Sequence, residues 1–173
     1  ACFLRAREVM AALAFVVSGL SVPLASRAEP VASPAVYTWT GGSGVFSDPA
    51  HWLVGGAEAT QAPGAADSAV IPAGGTPYTV TVKDAIQIAE LTVEGDVVYE
   101  EDPNDDIVTT LVFATGSKTN VVTGTVRVKA AAVVSHDGPA ASPVNCLVLS
   151  AGNLAVDAGG KIDAQGKGYS AGK

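Results

Sequence analysis

Cysteine is almost missing from this chain: Cys2 and Cys146 are the only two in 173 residues. A small secreted domain stapled by several disulfides is therefore excluded. Cys146 lies in Cys146-Leu147-Val148-Leu149, a buried-strand pattern, and is read as a small core hydrophobe. Histidine is equally scarce, with His51 and His136 alone. Two distant histidines and one buried-looking cysteine do not make up the three or four clustered ligands of a zinc site. Basic charge is in deficit, with 10 Lys and Arg against 17 Asp and Glu. Nucleic-acid binding, which needs a basic face, is excluded as the working class. Aromatics make up 6% of the chain. No sustained helical period follows residue 28, so helix bundles are excluded as well.

Long apolar runs are also absent. The best, Val9 to Ala25, is broken by Ser18, Gly19, Ser21 and Pro23. It falls short of the roughly 20 apolar residues of a membrane span. Arg5 and Arg7 precede it, and Ser26-Arg27-Ala28 follows with small residues at the peptidase positions. Residues 1–28 thus read as a signal peptide cleaved before Glu29. No cysteine stands at that site, so a lipoprotein anchor is unsupported. The expectation is a secreted or outer-surface protein without a membrane span in its mature part. Cleavage removes Cys2, leaving Cys146 with no disulfide partner within the chain. It also removes Arg5, Arg7, Arg27 and Glu8, which leaves 7 basic and 16 acidic side chains, a formal −9.

What is abundant is Val, Ala, Thr and Gly, the composition of short strands joined by tight turns. Residues 29–35 form a Pro/Ala/Ser linker. Residues 36–73 hold a distinct module with Trp39, Phe46 and Trp52. From Tyr78 onward, alternation with period two takes over, as in Tyr78-Thr79-Val80-Thr81-Val82 and Thr125-Val126-Arg127-Val128-Lys129. Gly74, Gly95, Gly116, Gly138 and Gly160 follow one another at intervals of 21, 21, 22 and 22 residues. A strand-and-turn period of this size predicts a solenoid. The expected fold is all-β, a right-handed parallel β-helix with about 21–22 residues per rung. Residues 74–173 would supply the rungs and the aromatic module an N-terminal cap. The glycines are expected at corners, through positive φ or close backbone approach. The rungs continue to Lys173 with no polar cap in view, so the expectation is of a C-terminally incomplete solenoid.

Three groups of residues are candidate sites. Trp39, Phe46 and Trp52 could stack on sugar rings. Their place ahead of the first rungs favours the alternative, that they cover the apolar end of the solenoid. Asp48 and Asp67 are expected to hydrogen-bond turns in the same module. The acidic stretch from Glu94 to Asp106 contains Glu101, Asp102, Asn104, Asp105 and Asp106. Asp102, Asn104 and Asp106 match the first spacings of an EF-hand loop, but Ile107 and Phe113 stand where Gly and Glu are required. A looser calcium site is the functional reading of that stretch and a solvated loop the preferred one. No other cofactor is expected. Ser135-His136-Asp137 are chain neighbours, and neighbours on a strand face opposite ways, so they form no triad by adjacency. Asp157 and Asp163 are expected to point outward as solvated carboxylates.

The module carries Thr38-Trp39, Gly41-Gly42, Gly44, Phe46-Ser47-Asp48-Pro49 and Trp52, then Pro63-Gly64, Asp67 and Ala69-Val70-Ile71. This pattern resembles the N-terminal module of large secreted bacterial β-helix proteins, autotransporter-like passengers among them. The stretch from Leu154 to Tyr169 is similar to a recurrent rung of such proteins. Phe46 stands where these modules often carry Trp. The resemblance implies the pectate-lyase-like right-handed β-helix, but no catalytic motif of the polysaccharide lyases matches. The expected role is structural or adhesive display at the cell surface, without catalysis in this chain. The alternatives are the N-terminal part of a polysaccharide-processing lyase or glycosidase and a carbohydrate-binding module. The partners so implied are an extracellular polysaccharide or a host or cell-surface component.

Overall fold

Alternation of apolar and polar residues decides the strands. A computed structural model describes residues 34–98, 106–116, 118–137 and 147–165. Most strands lie where the sequence alternates or carries a short apolar run. In β6 (Tyr78–Val82) the side chains alternate buried and half-buried, with Tyr78, Val80 and Val82 inside. β9 (Thr109–Phe113) repeats that pattern. The protein is all-β; its only helical piece among the described residues is a short 3-10 turn, Pro49–His51.

Two sheets result, and both are chiefly parallel. Sheet A contains β1 (Val36–Trp39), β3 (Trp52–Val54), β4 (Ala57–Glu58), β5 (Ser68–Ile71), β7 (Gln87–Ile88), β8 (Glu90–Val93), β10 (Thr119–Val128) and β12 (Val148–Val156). Sheet B contains β2 (Gly44–Val45), β6, β9, β11 (Ala132–His136) and β13 (Lys161–Asp163). Sheet A runs β12-β10-β8-β5-β1-β3-β4, with β7 beside β10, and sheet B runs β13-β11-β9-β6-β2. From β5 onward the chain passes back and forth between the sheets, and each return lays a strand parallel to the previous one. Only β1–β3 and β3–β4 pair antiparallel between named strands. Parallel sheets are usually covered on both faces. Here burial alternates along the strands, so one face packs inward while Thr79, Thr81, Thr92 and Arg127 lie on the other.

The inward residues stack in columns. Ala69, Leu91 and Val126 are register partners and buried, as are Ile71, Val93 and Val128. In sheet B, Val80, Leu111 and Val134 form a third buried column. Each fully buried Val, Leu or Ile contributes about 1.5–3 kcal/mol relative to exposure, so these columns are the main favourable term. Sheet A also bends along a line. Ala89 separates β7 from β8, and the register slips between Val122 and Thr125, where Thr123 and Gly124 together oppose Gly152. The Gly124 N–H donates to Ala89 O at 2.8 Å, so the bend is stitched from one strand to the next. Such a bulge turns the strand and increases its twist.

The spacing of the stacked strands departs from the uniform period read in the sequence. Ala69 pairs with Leu91, 22 residues on; Leu91 with Val126, 35 on; Val126 with Leu154, 28 on. In sheet B, Tyr78 pairs with Thr109, 31 on, and Thr109 with Ala132, 23 on. The evenly spaced glycines therefore do not mark equivalent places: Gly95 follows a strand of sheet A and Gly116 a strand of sheet B. Inward side chains set the register, while connection length is nearly free because loop-closure entropy grows slowly. The corner role itself holds at three of them. Gly116 has φ 62°, a Cβ on Gly95 would lie 2.0 Å from the Ala131 carbonyl oxygen, and one on Gly160 would lie 2.5 Å from the Val128 carbonyl oxygen. Gly138 lies outside the described residues.

Candidate functional site

The aromatic module packs around Trp52. This ring is fully buried, and it meets Trp39 edge to face at 5.0 Å, Phe46 at 4.9 Å and Tyr37 at 6.3 Å between centroids. Edge-to-face pairs of this kind add about 0.5–1.5 kcal/mol beyond area burial. Both indole N–H groups are satisfied: Trp39 Nε1 donates to Gly42 O at 2.9 Å and Trp52 Nε1 to Phe46 O at 2.7 Å. His51 lies flat on Trp39, with centroids 4.7 Å apart and planes 14° from parallel. Trp39, Phe46 and Trp52 are 1%, 2% and 0% exposed. No face of the three is open to a sugar ring without unpacking the module. Two carboxylates fix the turns, as their positions led us to expect. Asp48 accepts from Ala50 N at 3.0 Å, and Asp67 accepts from Ala35 N at 3.1 Å and Gly64 N at 2.9 Å.

Of the acidic stretch, Glu101, Asp102, Asn104 and Asp105 lie outside the described residues. Asp106 is described and half-buried, next to the bridge that pairs Asp96 with Ile107. Among the described residues, no group of three or more His, Cys, Asp or Glu side chains is placed to hold a metal ion. Cys2 and Cys146 are likewise outside the described residues. No helix among the described residues is long and apolar enough to cross a membrane.

Ser135, His136 and Asp137 do not converge. Ser135 pairs with Val112 and Asp163 along the outer face, and its hydroxyl donates to Asp163 O at 2.7 Å. His136 stands opposite Phe113, in the inward column that begins at Val82. Asp157 is half-buried and holds Arg127 through two bonds, Nε to Oδ2 at 3.0 Å and Nη2 to Oδ1 at 3.1 Å. On the neighbouring strand pair, Lys129 Nζ reaches Glu94 Oε1 at 2.5 Å. These pairs link successive strands across the corner that follows sheet A. Asp163 is exposed, and its Oδ1 accepts from Gln165 N at 2.8 Å.

One residue with no distinguishing pattern around it in the sequence joins three passes of the chain. Asn120 is fully buried. Its Oδ1 accepts from Ile86 N at 3.3 Å, and its Nδ2 donates to Thr115 Oγ1 at 3.0 Å and Val148 O at 3.1 Å. A buried amide with both ends paired is a structural clamp, not a free chemical group. A cavity of about 170 Å³ opens beside the aromatic module, floored by Phe46, Pro63, Val82 and Ile86 with Lys83 and Asp84 at the rim. Both rim charges are exposed, and Asp84 leans toward Lys118 at 3.9 Å. The cavity therefore offers an apolar dimple and no converging buried polar groups. What the described residues assemble is a set of buried rings, ladders and clamps. No family model, no curated protein and no solved structure matches this chain.

Proposed function

We propose that this chain is an exported scaffold: a right-handed parallel β-helix segment, opened by an aromatic cap, that displays its outer faces at or beyond the cell surface. The passage of the chain back and forth between two chiefly parallel sheets from β5 onward is the observation that carries the reading. Polar outer faces on both sheets support it, because a parallel sheet with a solvated face needs closure by its own chain instead of by helices. Crossovers between parallel strands are right-handed in nearly all proteins, which supplies the handedness. The leader pattern of residues 1–28 and the −9 formal charge of the remainder support export. The role is structural or adhesive, with a polysaccharide or surface component as the class of partner.

Three measurements test it. Expressed with its own leader in a secreting bacterial host, the protein is expected outside the cytoplasm with Glu29 as its first residue. Cytoplasmic chain that keeps residues 1–28 overturns export. In a background with Cys2 and Cys146 replaced by Ala, the pair Thr110→Cys and Val133→Cys is expected to oxidise readily, since these residues are register partners on one face. Purified protein incubated with acidic and neutral polysaccharides is expected to release no cleaved product. Release of shortened chains moves the protein to the enzyme class.

A further inference from the structure

Three inward columns end on an open apolar residue at β12 and β13. Leu91 and Val126 are 0% exposed, and their next register partner, Leu154, is 49% exposed. Val93 and Val128 are buried and lead to Val156 at 45%. Val134 is 1% exposed and leads to Ile162 at 45%. Among the described residues no strand pairs with the outer edges of β12 and β13. The opposite end differs. There sheet A closes with antiparallel β3 and the two-residue β4, a short edge of the kind that discourages further pairing. Among the described residues, the β12–β13 edge is a strand template with an apolar floor.

The charges on that template select its occupant. β13 is Lys161-Ile162-Asp163, with Ile162 in the inward column and the two charges on the outward rows. A parallel partner of the same sequence would set Lys161 against Lys161 and Asp163 against Asp163. An antiparallel partner centred on Ile162 sets Lys161 against Asp163 twice, with Ile162 against Ile162. On β12, a two-fold axis through Ala155 sets Leu154 against Val156 in the same way. A single-signed edge would merely repel other chains. A mixed pair flanking an apolar residue is self-complementary in one orientation and one register.

We propose that the β12–β13 end binds a second copy of this chain, tail to tail, in an isologous two-fold dimer. The short antiparallel edge at β3 and β4 disfavours a head-to-tail contact, which would propagate into filaments. Sedimentation equilibrium of the whole chain under reducing conditions is the test. A concentration-dependent monomer–dimer equilibrium is expected, without larger species. Lys161→Asp alone or Asp163→Lys alone sets like charges opposite each other and should raise the dimer Kd about tenfold or more. An equimolar mixture of the two single variants should dimerise again, because each supplies the charge the other lacks. The double variant Lys161→Asp/Asp163→Lys should dimerise like the parent. Leu154→Lys should give monomers with an unchanged circular dichroism spectrum. A parent chain that stays monomeric up to high concentration overturns the proposal and leaves the edge to a different strand. So does a dimer indifferent to the charge exchanges.

Discussion

Asn120 Nδ2 donates to the Val148 carbonyl at 3.1 Å, across a gap of 28 residues in sequence. The same side chain accepts from Ile86 N at 3.3 Å, so one amide ties the passes before and after its own. Asn120→Ala leaves a buried N–H and two buried carbonyl or hydroxyl groups without a partner. Each such group costs about 1–3 kcal/mol, so a loss of about 3 kcal/mol or more is expected. Urea denaturation followed by circular dichroism measures it. Asn120→Asp keeps the acceptor but removes the donor and brings a charge into a dry site, so it should be no milder. A variant within about 0.5 kcal/mol of the parent would mean that water replaces the amide readily.

Gly95 and Gly75 make a controlled pair. A Cβ at Gly95 would lie 2.0 Å from Ala131 O, whereas at Gly75 nothing lies within 4 Å. Gly95→Ala must push apart two stacked corners and should cost about 1–3 kcal/mol. Gly75→Ala should be neutral or stabilising by up to about 1 kcal/mol, through the unfolded chain. Thermal unfolding of the two variants side by side checks the contrast. Equal melting temperatures would refute the close approach at that corner. Gly116→Val should also destabilise, since φ 62° is a left-handed conformation that costs a β-branched residue more than most.

These corners mark the limit of what the sequence discloses. Tyr78 to Val82 announces a half-buried strand because side chains alternate with a period of two, and β6 occupies those residues. The parallel stacking of strands was legible from the recurrence of such runs. The uniform rung of 21–22 residues was not a property of the fold, because Glu94 to Val108 lengthens one connection while the register of Leu91 on Val126 stays fixed by burial. Asn120 was invisible for a related reason. Its partners Ile86 and Val148 become neighbours only once the strands are stacked. Trp39 and Trp52 were recognisable as large apolar groups ahead of the alternating run that begins at Tyr78. Their burial under His51 and around Phe46 depends on β3 folding back antiparallel on β1, which no local pattern announces.

Trp52 is the centre of the N-terminal module, with three rings edge-on to it. Trp52→Ala should cost about 3–5 kcal/mol, the range for truncating a buried aromatic. Trp52→Phe should cost less and keep the fold. The two tryptophans are the only ones in the chain, so near-ultraviolet circular dichroism reports on their contact. Either Trp→Phe variant should lose the shared signal, leaving a spectrum weaker than half the parent's. His51→Ala should uncover Trp39 and shift the emission to the red without unfolding.

The ladder of Arg127 with Asp157 and Lys129 with Glu94 should matter little at ordinary salt. Their side chains are 51%, 34%, 44% and 29% exposed, so solvent screens both pairs. Exposed pairs typically contribute 0.2–1 kcal/mol, and a double-mutant cycle on Arg127 and Asp157 should return a value in that interval. Raising the salt to about 1 M, where the Debye length is about 3 Å, should erase much of it. A coupling well above 1 kcal/mol would show that the outer corner orders the stacking and does not merely decorate it.

Tyr78 gives the protein a stability change at alkaline pH. Burial pushes its phenol pKa up, and the negative charge of Glu94 adds to the effect. Its hydroxyl donates to the Pro72 carbonyl, a bond available only to the neutral form. In the unfolded chain the same phenol ionises at about pH 10. Below that value both states hold the proton and the contribution to stability is complete. As the pH rises above it, the unfolded chain releases a proton that the folded chain keeps, and folding weakens. The slope is at most about 1.4 kcal/mol per pH unit and ends once the folded phenol also ionises. Tyr78→Phe should remove this residue's share of the slope while costing about 1 kcal/mol at neutral pH for the lost hydrogen bond. Denaturation midpoints measured at neutral pH and at successive values above 10 decide it. A Tyr78→Phe variant with an unaltered alkaline slope would place the proton release elsewhere, on the exposed lysines or another tyrosine.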